Sequence, residues 1–455
     1  MNIRVNLSVL ACKFCRTALR LLGRGGTDFP GRVALKFCPN VLGTLAKNVT
    51  TIIVTGTNGK TTTARMIEQS LADHGISYFA NRSGANLLSG VTAEFAMHSS
   101  IKGKCKYDYA VIEADEAAFK RIGELVNAKV VVVTNVFSDQ LDRYGEITQT
   151  LDNIRIGISH SKNAVLCLNA DDSLSGSLSE GMDNPVIFYG VDVPIYKSRV
   201  SESSDAPFCR NCKREYVYDH VTYGHLGAYR CPHCGVARPQ PHVSVKNIVS
   251  SNSECSEITV SADGVEYAAT INLPGGYNIY NGCSALACGK ALGLDMQKVA
   301  ASLSSFSCGF GRMEKFVIDD VSLRMILIKN PAGCNQVLNF LTDIEEPFTF
   351  AVCLTDHTQD GKDISWIWDV DFERLIAMNS LSKVLVSGTR ADDMALRFKY
   401  AGLPSEKLVI VRDYLDLTKA CVAEKKPCYI MPTYTAMLNM RNVIAKNYGF
   451  SSFWE

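Results

Sequence analysis

Gly56-Thr57-Asn58-Gly59-Lys60-Thr61 is the segment whose residue types point most directly to chemistry. Glycines let backbone N–H groups come close to phosphate oxygens. Lys60 supplies a point charge for the β- and γ-phosphates of a nucleotide and the Thr61 hydroxyl can ligate Mg²⁺. Thr62 carries the turn into a helix whose positive N-terminus faces the anion. The usual string is G-x-x-x-x-G-K-[ST], and the spacing from Gly56 to Gly59 is shorter. A plain tight turn is the alternative, but a strand before, a helix after and Lys-Thr at the junction argue against it. Glu113 ends an apolar strand and offers the hard oxygen that Mg²⁺ prefers. Its neighbours Asp115 and Glu116 are close alternatives, and an ordinary solvated charge cluster is the plainer reading.

A second constellation is Cys209-x2-Cys212, then 18 residues, then Cys231-x2-Cys234, the spacing of a zinc ribbon. Each pair turns two thiolates toward one point, and four thiolates fill a tetrahedral Zn²⁺ site with no open position, so the metal is structural rather than catalytic. With four cysteines available, His225 and His233 are non-ligands. Cys12-x2-Cys15 has no second pair and sits in a helical pattern, so it is not read as a metal site. Further on, Trp366 and Trp368 lie among Ile364 and Ile367, beside Asp360, Asp363 and Asp369. On residue types alone the favoured reading of this segment is a buried aromatic helix start capped by Asp363.

These groups need a scaffold. Thr51–Thr55, Tyr109–Glu113, Lys129–Thr134 and Ala164–Leu168 are short, continuous apolar runs separated by helical stretches such as Ala64–His74. Continuous rather than alternating strands predict a parallel sheet buried on both faces. From Tyr196 to Val243 the chain turns polar and rich in Arg, Cys and His, the texture of an insertion, and regular structure is expected to resume at Glu257. Leu273–Leu294 reads as a glycine-rich turn followed by a helix. Phe348–Leu354, Lys383–Ser387, Leu408–Val411 and Cys428–Met431 form a second αβ block, with a helix at Asp392–Ala401.

The short loop GTNGKT resembles the ATP loop of the Mur ligase and folylpolyglutamate synthase family. Other segments match that family in order. Thr134–Glu146 (TNVFSDQLDRYGE) resembles T-N-x-x-x-D-H-L-D with Gln140 in the histidine's place; Leu168–Asp172 matches a strand end. Leu273–Asn281 resembles G-x-[HY]-N-x-x-N, which implies that Asn278 and Asn281 approach the adenine. Gly311-Arg312-Met313-Glu314 resembles the G-R-x-E that opens the C-terminal domain, with Arg312 at the nucleotide, and Asn330–Gly333 resembles H-N-P-x-G. About 50 residues precede the loop, so the large UDP-binding domain of full-length Mur ligases is expected to be missing. Gly26–Phe37, the four-cysteine insertion and Asp360–Glu373 narrow the resemblance to the MurT family, the ligase-like subunits of lipid II isoglutaminyl synthase.

That resemblance implies an α/β fold: a Mur ligase-type ATP-binding domain with a parallel sheet over residues 41–314, interrupted by a zinc ribbon at 196–243, and a Rossmann-like α/β domain over 315–455, with residues 1–40 as a lead-in. It implies ATP and Mg²⁺ as cofactors beside structural Zn²⁺. It implies amidation of the D-glutamate α-carboxylate of lipid II through an acyl phosphate, with ammonia from a GatD-type glutaminase partner. That partner has a Cys and a His; Asp363, with Asp360 second, would supply the missing carboxylate, and Asp356 would belong to the ligase site. A stand-alone amino-acid ligase and a non-catalytic ATP-binding scaffold are the alternatives.

The bulk figures fit. The chain has 455 residues, enough for two or three domains. Lys plus Arg is 47 against 46 Asp plus Glu, a formal +1 that gives no electrostatic case for binding nucleic acid. Of 17 cysteines, Cys167, Cys283, Cys288, Cys308 and Cys353 sit in apolar stretches, which favours a reducing, cytoplasmic setting. Leu7–Ala11 is apolar but is followed at once by Lys13, Arg16 and Arg20, so no signal peptide is read. With Arg24 these form an amphipathic basic helix, expected to pack on the body of the protein or, alternatively, to meet an anionic membrane at its inner face.

Overall fold

The structure is a computed structural model that describes residues 3–21, 27–81, 85–138, 147–196, 205–252, 254–306, 312–342 and 344–450. The β-branched runs form strands and the first sheet is built on them: β1 (Thr50–Thr55), β2 (Tyr78–Ala80), β3 (Tyr109–Glu113), β4 (Ala128–Val133), β5 (Val165–Asn169) and β6 (Val186–Val191) are parallel. Both faces are covered, which is why these strands are apolar throughout. Ile52 and Val54 of β1 and Val130 and Val132 of β4 pack on one side with the helices Lys60–Asp73 and Gly276–Ala291. Ile53, Val131 and Val133 pack on the other, under the helices Ile3–Leu21, Leu88–His98, Glu116–Leu125 and Ile147–His160.

β7 (Val217–Tyr223) and β8 (Leu226–Arg230) form a separate two-stranded ribbon. Regular structure resumes earlier than the polar texture implied. β9 (Val243–Ser251) pairs parallel to β6, and β10 (Ser256–Ala262) and β11 (Val265–Ile271) continue the sheet antiparallel. The full order is β11-β10-β9-β6-β5-β4-β1-β3-β2, so the sheet is mixed rather than wholly parallel. β1 lies between β3 and β4, the place where successive crossovers diverge and a crevice opens at the strand ends.

The second sheet has the order β12-β13-β17-β14-β15-β16. β12 (Arg312–Ile318) and β13 (Val321–Ile326) are an antiparallel hairpin; β14 (Phe348–Cys353), β15 (Leu381–Ser387), β16 (Leu408–Ile410) and β17 (Cys428–Pro432) are parallel. Apolar clusters cover both of its faces as well.

Candidate active site

The loop after β1 sits at that crevice. Gly56 and Gly59 have φ of 116° and 83°, left-handed values that favour glycine. A Cβ on Gly56 would stand 2.7 Å from the Asn135 carbonyl oxygen, and one on Gly59 would overlap the Asn281 side chain. The loop is held from below. The Thr57 N–H donates to the Asn135 carbonyl at 2.9 Å, and the Thr57 hydroxyl donates to the Phe137 carbonyl at 3.1 Å. The Asn58 N–H donates to Asn135 Oδ1 at 3.0 Å while Asn135 Nδ2 returns a bond to the Asn58 carbonyl at 3.1 Å. Asn135 therefore clamps the loop; its Thr-Asn dipeptide was in view in the sequence, but its role was not.

Gly59 caps the helix Lys60–Asp73, so Lys60, Thr61 and Thr62 occupy its first turn. Lys60 Nζ is buried and donates to Glu116 Oε1 at 2.9 Å and to the Gly56 carbonyl. Burial opposes its charge, but Glu116 and Glu113 outweigh burial and hold its pKa above the ordinary lysine value. The Thr61 hydroxyl donates to Glu113 Oε2 at 2.7 Å, and Glu113 is fixed at the end of β3 by Asn81, whose Oδ1 accepts the Glu113 N–H at 2.8 Å. The three acids proposed from sequence thus separate: Glu113 meets Thr61, Glu116 meets Lys60, and Asp115 caps the helix Glu116–Leu125 by accepting from the N–H groups of Ala117 and Ala118.

Beside the loop a cleft of about 720 Å³, counting its open mouth, runs between the two sheets. Asn58, Gly59, Thr62, Asn278 and Asn281 line one wall; Met313, Ala332, Gly333 and Gln336 line the other. Asn281 donates to Asn278 Oδ1 at 3.0 Å, and its own Oδ1 accepts from the Thr63 hydroxyl at 3.4 Å, so it braces the loop as well as lining the cleft. Asn330 Nδ2 donates to Asn58 Oδ1 at 3.2 Å, a direct tie from the second sheet's unit to the phosphate loop. Arg312 begins β12, but its side chain, Gly311 and residues 139–146, which include Gln140, lie outside the described residues. Asp356 accepts from the Thr389 hydroxyl at 2.8 Å and is not among the cleft-lining residues.

The four cysteines converge. Their Sγ atoms all lie within 4.8 Å of one another, unbridged, with Cys209–Cys234 and Cys212–Cys231 at 3.4 Å. A tetrahedron with Zn–S near 2.3 Å has edges of about 3.8 Å, so the donor set fits the metal. Each Cys-x2-Cys pair closes a tight turn: Lys213 N–H donates to the Cys209 carbonyl, Gly235 N–H to that of Cys231, and both residues have positive φ. His225 is fully buried, 3.2 Å from Asp172, and His233 is outside the cluster. The ribbon is pinned to the first sheet through Arg238, which pairs with Asp171 at 2.6 Å and Asp192 at 2.8 Å. Burial raises the Asp171 pKa, against the pull of Arg238 and the Tyr280 hydroxyl. No spacing rule announces this network, because its members come from four separate segments.

In the Asp360–Glu373 segment the two acids part. Asp360 is 5% exposed, and both its oxygens are used, by the Thr355 hydroxyl at 2.8 Å and the Thr435 N–H at 2.7 Å. Asp363 is half-buried and accepts from the Ser365 N–H at 2.8 Å. The Ser365 hydroxyl and N–H hold its carboxyl below the usual range. Trp366 is buried, whereas Trp368 is exposed against exposed Tyr400, their rings 5.7 Å apart.

Comparison with known proteins decides the family. Residues 327–437 match the family profile described as MurT ligase C-terminal, and residues 54–212 match the Mur ligase middle domain. The chain is 35% identical over 448 residues to the lipid II isoglutaminyl synthase (glutamine-hydrolysing) subunit MurT of Streptococcus pneumoniae, covering 98% of both chains. The chain belongs to the MurT family. The Staphylococcus aureus MurT subunit is 33% identical, with 96% of this chain and 97% of the relative covered. The pseudomurein peptide ligase type C of Methanothermus fervidus shares the fold at a TM-score of 0.67 and 21% identity, over 88% of this chain and 79% of that one. As a MurT family member with a Mur ligase domain the chain is an ATP-dependent ligase.

Proposed function

We propose that the chain amidates the α-carboxylate of D-glutamate in the lipid II stem peptide, giving D-isoglutamine for peptidoglycan biosynthesis. Carboxylates do not react with ammonia at useful rates, so ATP activates them. A carboxylate oxygen attacks the γ-phosphorus, the bridging P–O bond breaks and ADP leaves. Ammonia then attacks the carbonyl carbon of the acyl phosphate, inorganic phosphate leaves and the nitrogen loses a proton. The observation that carries this reading is the pairing at the phosphate loop: a buried, charged Lys60 on Glu116 and, one residue on, Thr61 on Glu113. When nucleotide enters, Lys60 stabilises the charge of the transferred phosphoryl group. Thr61 and Glu113 would hold Mg²⁺, which would neutralise phosphate charge. Tyr277, Leu273 and Met313 supply an apolar slot for the base, with Asn278 at its edge. Cys209, Cys212, Cys231 and Cys234 would hold one structural Zn²⁺.

Ammonia comes from a GatD-type glutaminase partner, and Asp363 is the carboxylate offered to it. Asp363 supports that role better than Asp360, because Asp360 spends both oxygens internally. Trp368 and Tyr400 give a partner an aromatic surface nearby. A carboxylate behind a catalytic His fixes its tautomer and stabilises the imidazolium. The test is mass spectrometry of the stem peptide after incubation with ATP, glutamine and the chain with its co-purifying partner. Replacement of one hydroxyl by an amino group on D-glutamate supports the reading; ATP turnover with an unchanged stem peptide refutes it.

A further inference from the structure

The helix Ile3–Leu21 turns its smaller residues inward. Val5, Ser8, Val9 and Cys12 are buried, Arg16 pairs with Glu94 at 2.7 Å, and Lys13 donates to the Ser99 carbonyl. The larger apolar residues lie on the opposite face: Ile3 is 72% exposed, Phe14 74% and Leu21 84%, with Leu7 and Leu10 between them at about half. Their spacing of three, four and seven residues makes one stripe along the helix. The helix Phe29–Phe37, packed beside it, exposes Phe29 and Phe37 as well. A helix with both a buried face and an apolar outer face has a second surface to cover.

Charge identifies the cover. The helix contains no acidic residue. Residues 1–50 carry eight Lys and Arg against Asp28 alone, a formal +7, so the other 405 residues, with 39 against 45, carry −6. A distant segment packed beside the helix adds exposed positive charge. The loop Ile101–Lys106 exposes Ile101, Lys102, Lys104 and Lys106. It lies against the helix, since a Cβ on Gly103 would stand 3.2 Å from Val5 Cγ1. Arg4 and Arg20 flank the stripe on the helix itself.

We propose that this face docks on an anionic phospholipid surface, with the helix Ile3–Leu21 lying in the interface plane, its apolar stripe among the acyl chains and Arg4 and Arg20 at the headgroups. No helix among the described residues is long and apolar enough to cross a membrane, so the contact is peripheral. A bilayer accepts side chains to the depth this stripe projects, and long basic stems reach back to the headgroups. A second copy docking by the same face would set one strongly basic surface against another, which disfavours a symmetric pair. The inference holds whatever carboxylate the ligase activates, since it rests on surface chemistry alone.

The experiment is vesicle sedimentation of the full chain with its co-purifying partner, using phosphatidylglycerol–phosphatidylcholine vesicles and pure phosphatidylcholine vesicles. Binding should favour the anionic vesicles by at least about tenfold and weaken at about 0.5 M salt. Lys102→Gln with Lys104→Gln should weaken it by on the order of 10- to 30-fold, and Leu10→Gln with Phe14→Gln should do so with an unchanged melting temperature. ATP turnover on a water-soluble stem peptide should be unaffected by either pair. Equal binding to both vesicle types, or none to either, overturns the proposal. So does a Leu10→Gln/Phe14→Gln chain that, without vesicles, loses its partner or falls from dimer to monomer, because the stripe would then be covered by protein.

Discussion

Replacing Asp363 and Asp360 in turn by asparagine separates a residue that serves a partner from one that serves the fold. At Asp363 the structural cost is small. Its duties are local: it accepts from the Ser365 N–H at 2.8 Å, which an asparagine carbonyl does about as well, and from the exposed Ser365 hydroxyl, which water can satisfy. The stability change should stay within about 0.5 kcal/mol. Asp360 differs: its carboxylate accepts from both Thr355 and Thr435 inside the second unit, and an amide keeps only one acceptor. Losing a buried partner costs about 1–3 kcal/mol. Thr355 can turn its hydroxyl toward Thr433, 2.6 Å away, so the lower end applies. About 1 kcal/mol corresponds to a fall of roughly 2–4 °C in Tm for a unit of about 150–250 residues. Catalysis should show the reverse order. Loss of the orienting Asp in a serine protease costs on the order of 10⁴ in rate, so Asp363→Asn should cut glutamine hydrolysis by at least about 100-fold. Free ammonia should restore amidation, because the nucleotide cleft is untouched. The assay measures glutamine hydrolysis, ammonia-dependent amidation and Tm for each variant complex. Normal glutamine hydrolysis in Asp363→Asn would refute the role; loss of hydrolysis in Asp360→Asn at unchanged Tm would move it to Asp360.

Lys60→Ala should abolish ATP turnover, but it leaves Glu116 buried without its partner, a loss of about 3–5 kcal/mol; Lys60→Ala with Glu116→Gln should recover Tm and remain inactive, as nucleotide binding and turnover assays will show. Gly59→Ala should weaken nucleotide binding at least about tenfold by calorimetry, since its φ is 83° and its Cβ would displace Asn281. Elemental analysis of the chain in reducing, chelator-free buffer should find about one zinc, and Cys212→Ser should lose most of it and destabilise the ribbon; less than about half an equivalent in the unmodified chain counts against the site. The raised pKa of Lys60 makes its contribution complete below the ordinary 10.5 and lost only as pH rises through the higher folded value. ATP affinity should therefore show no Lys60 titration between about pH 6 and pH 9, and a step there would refute the charge state assigned.

The phosphate loop and the four cysteines were legible because each is local: glycines, Lys60 and Thr61 are adjacent, and Cys-x2-Cys repeats carry their own geometry. The parallel strands were legible from continuous apolar runs. The antiparallel extension was not, although it carried a signal: Asp263-Gly264, both with positive φ, form the turn between β10 and β11. The polar texture of the ribbon hid the start of β9 because Val243–Ser251 alternates where the parallel strands do not. Glu116, Asp115 and Glu113 were indistinguishable as neighbours in sequence; only the strand end, the helix cap and the position of Lys60 sort them. The outward apolar stripe of the first helix was also hidden, since a periodic pattern shows that faces exist but not which one is covered.

The central claim is that the carboxylate is activated as an acyl phosphate in the Lys60 cleft. The direct measurement is oxygen transfer from a stem peptide labelled with ¹⁸O in the D-glutamate α-carboxylate, incubated with the complex, ATP and ammonia. Label recovered in inorganic phosphate in step with amide formation, and absent for Lys60→Ala with Glu116→Gln, is the predicted result. Amide formed with unlabelled phosphate would contradict the account.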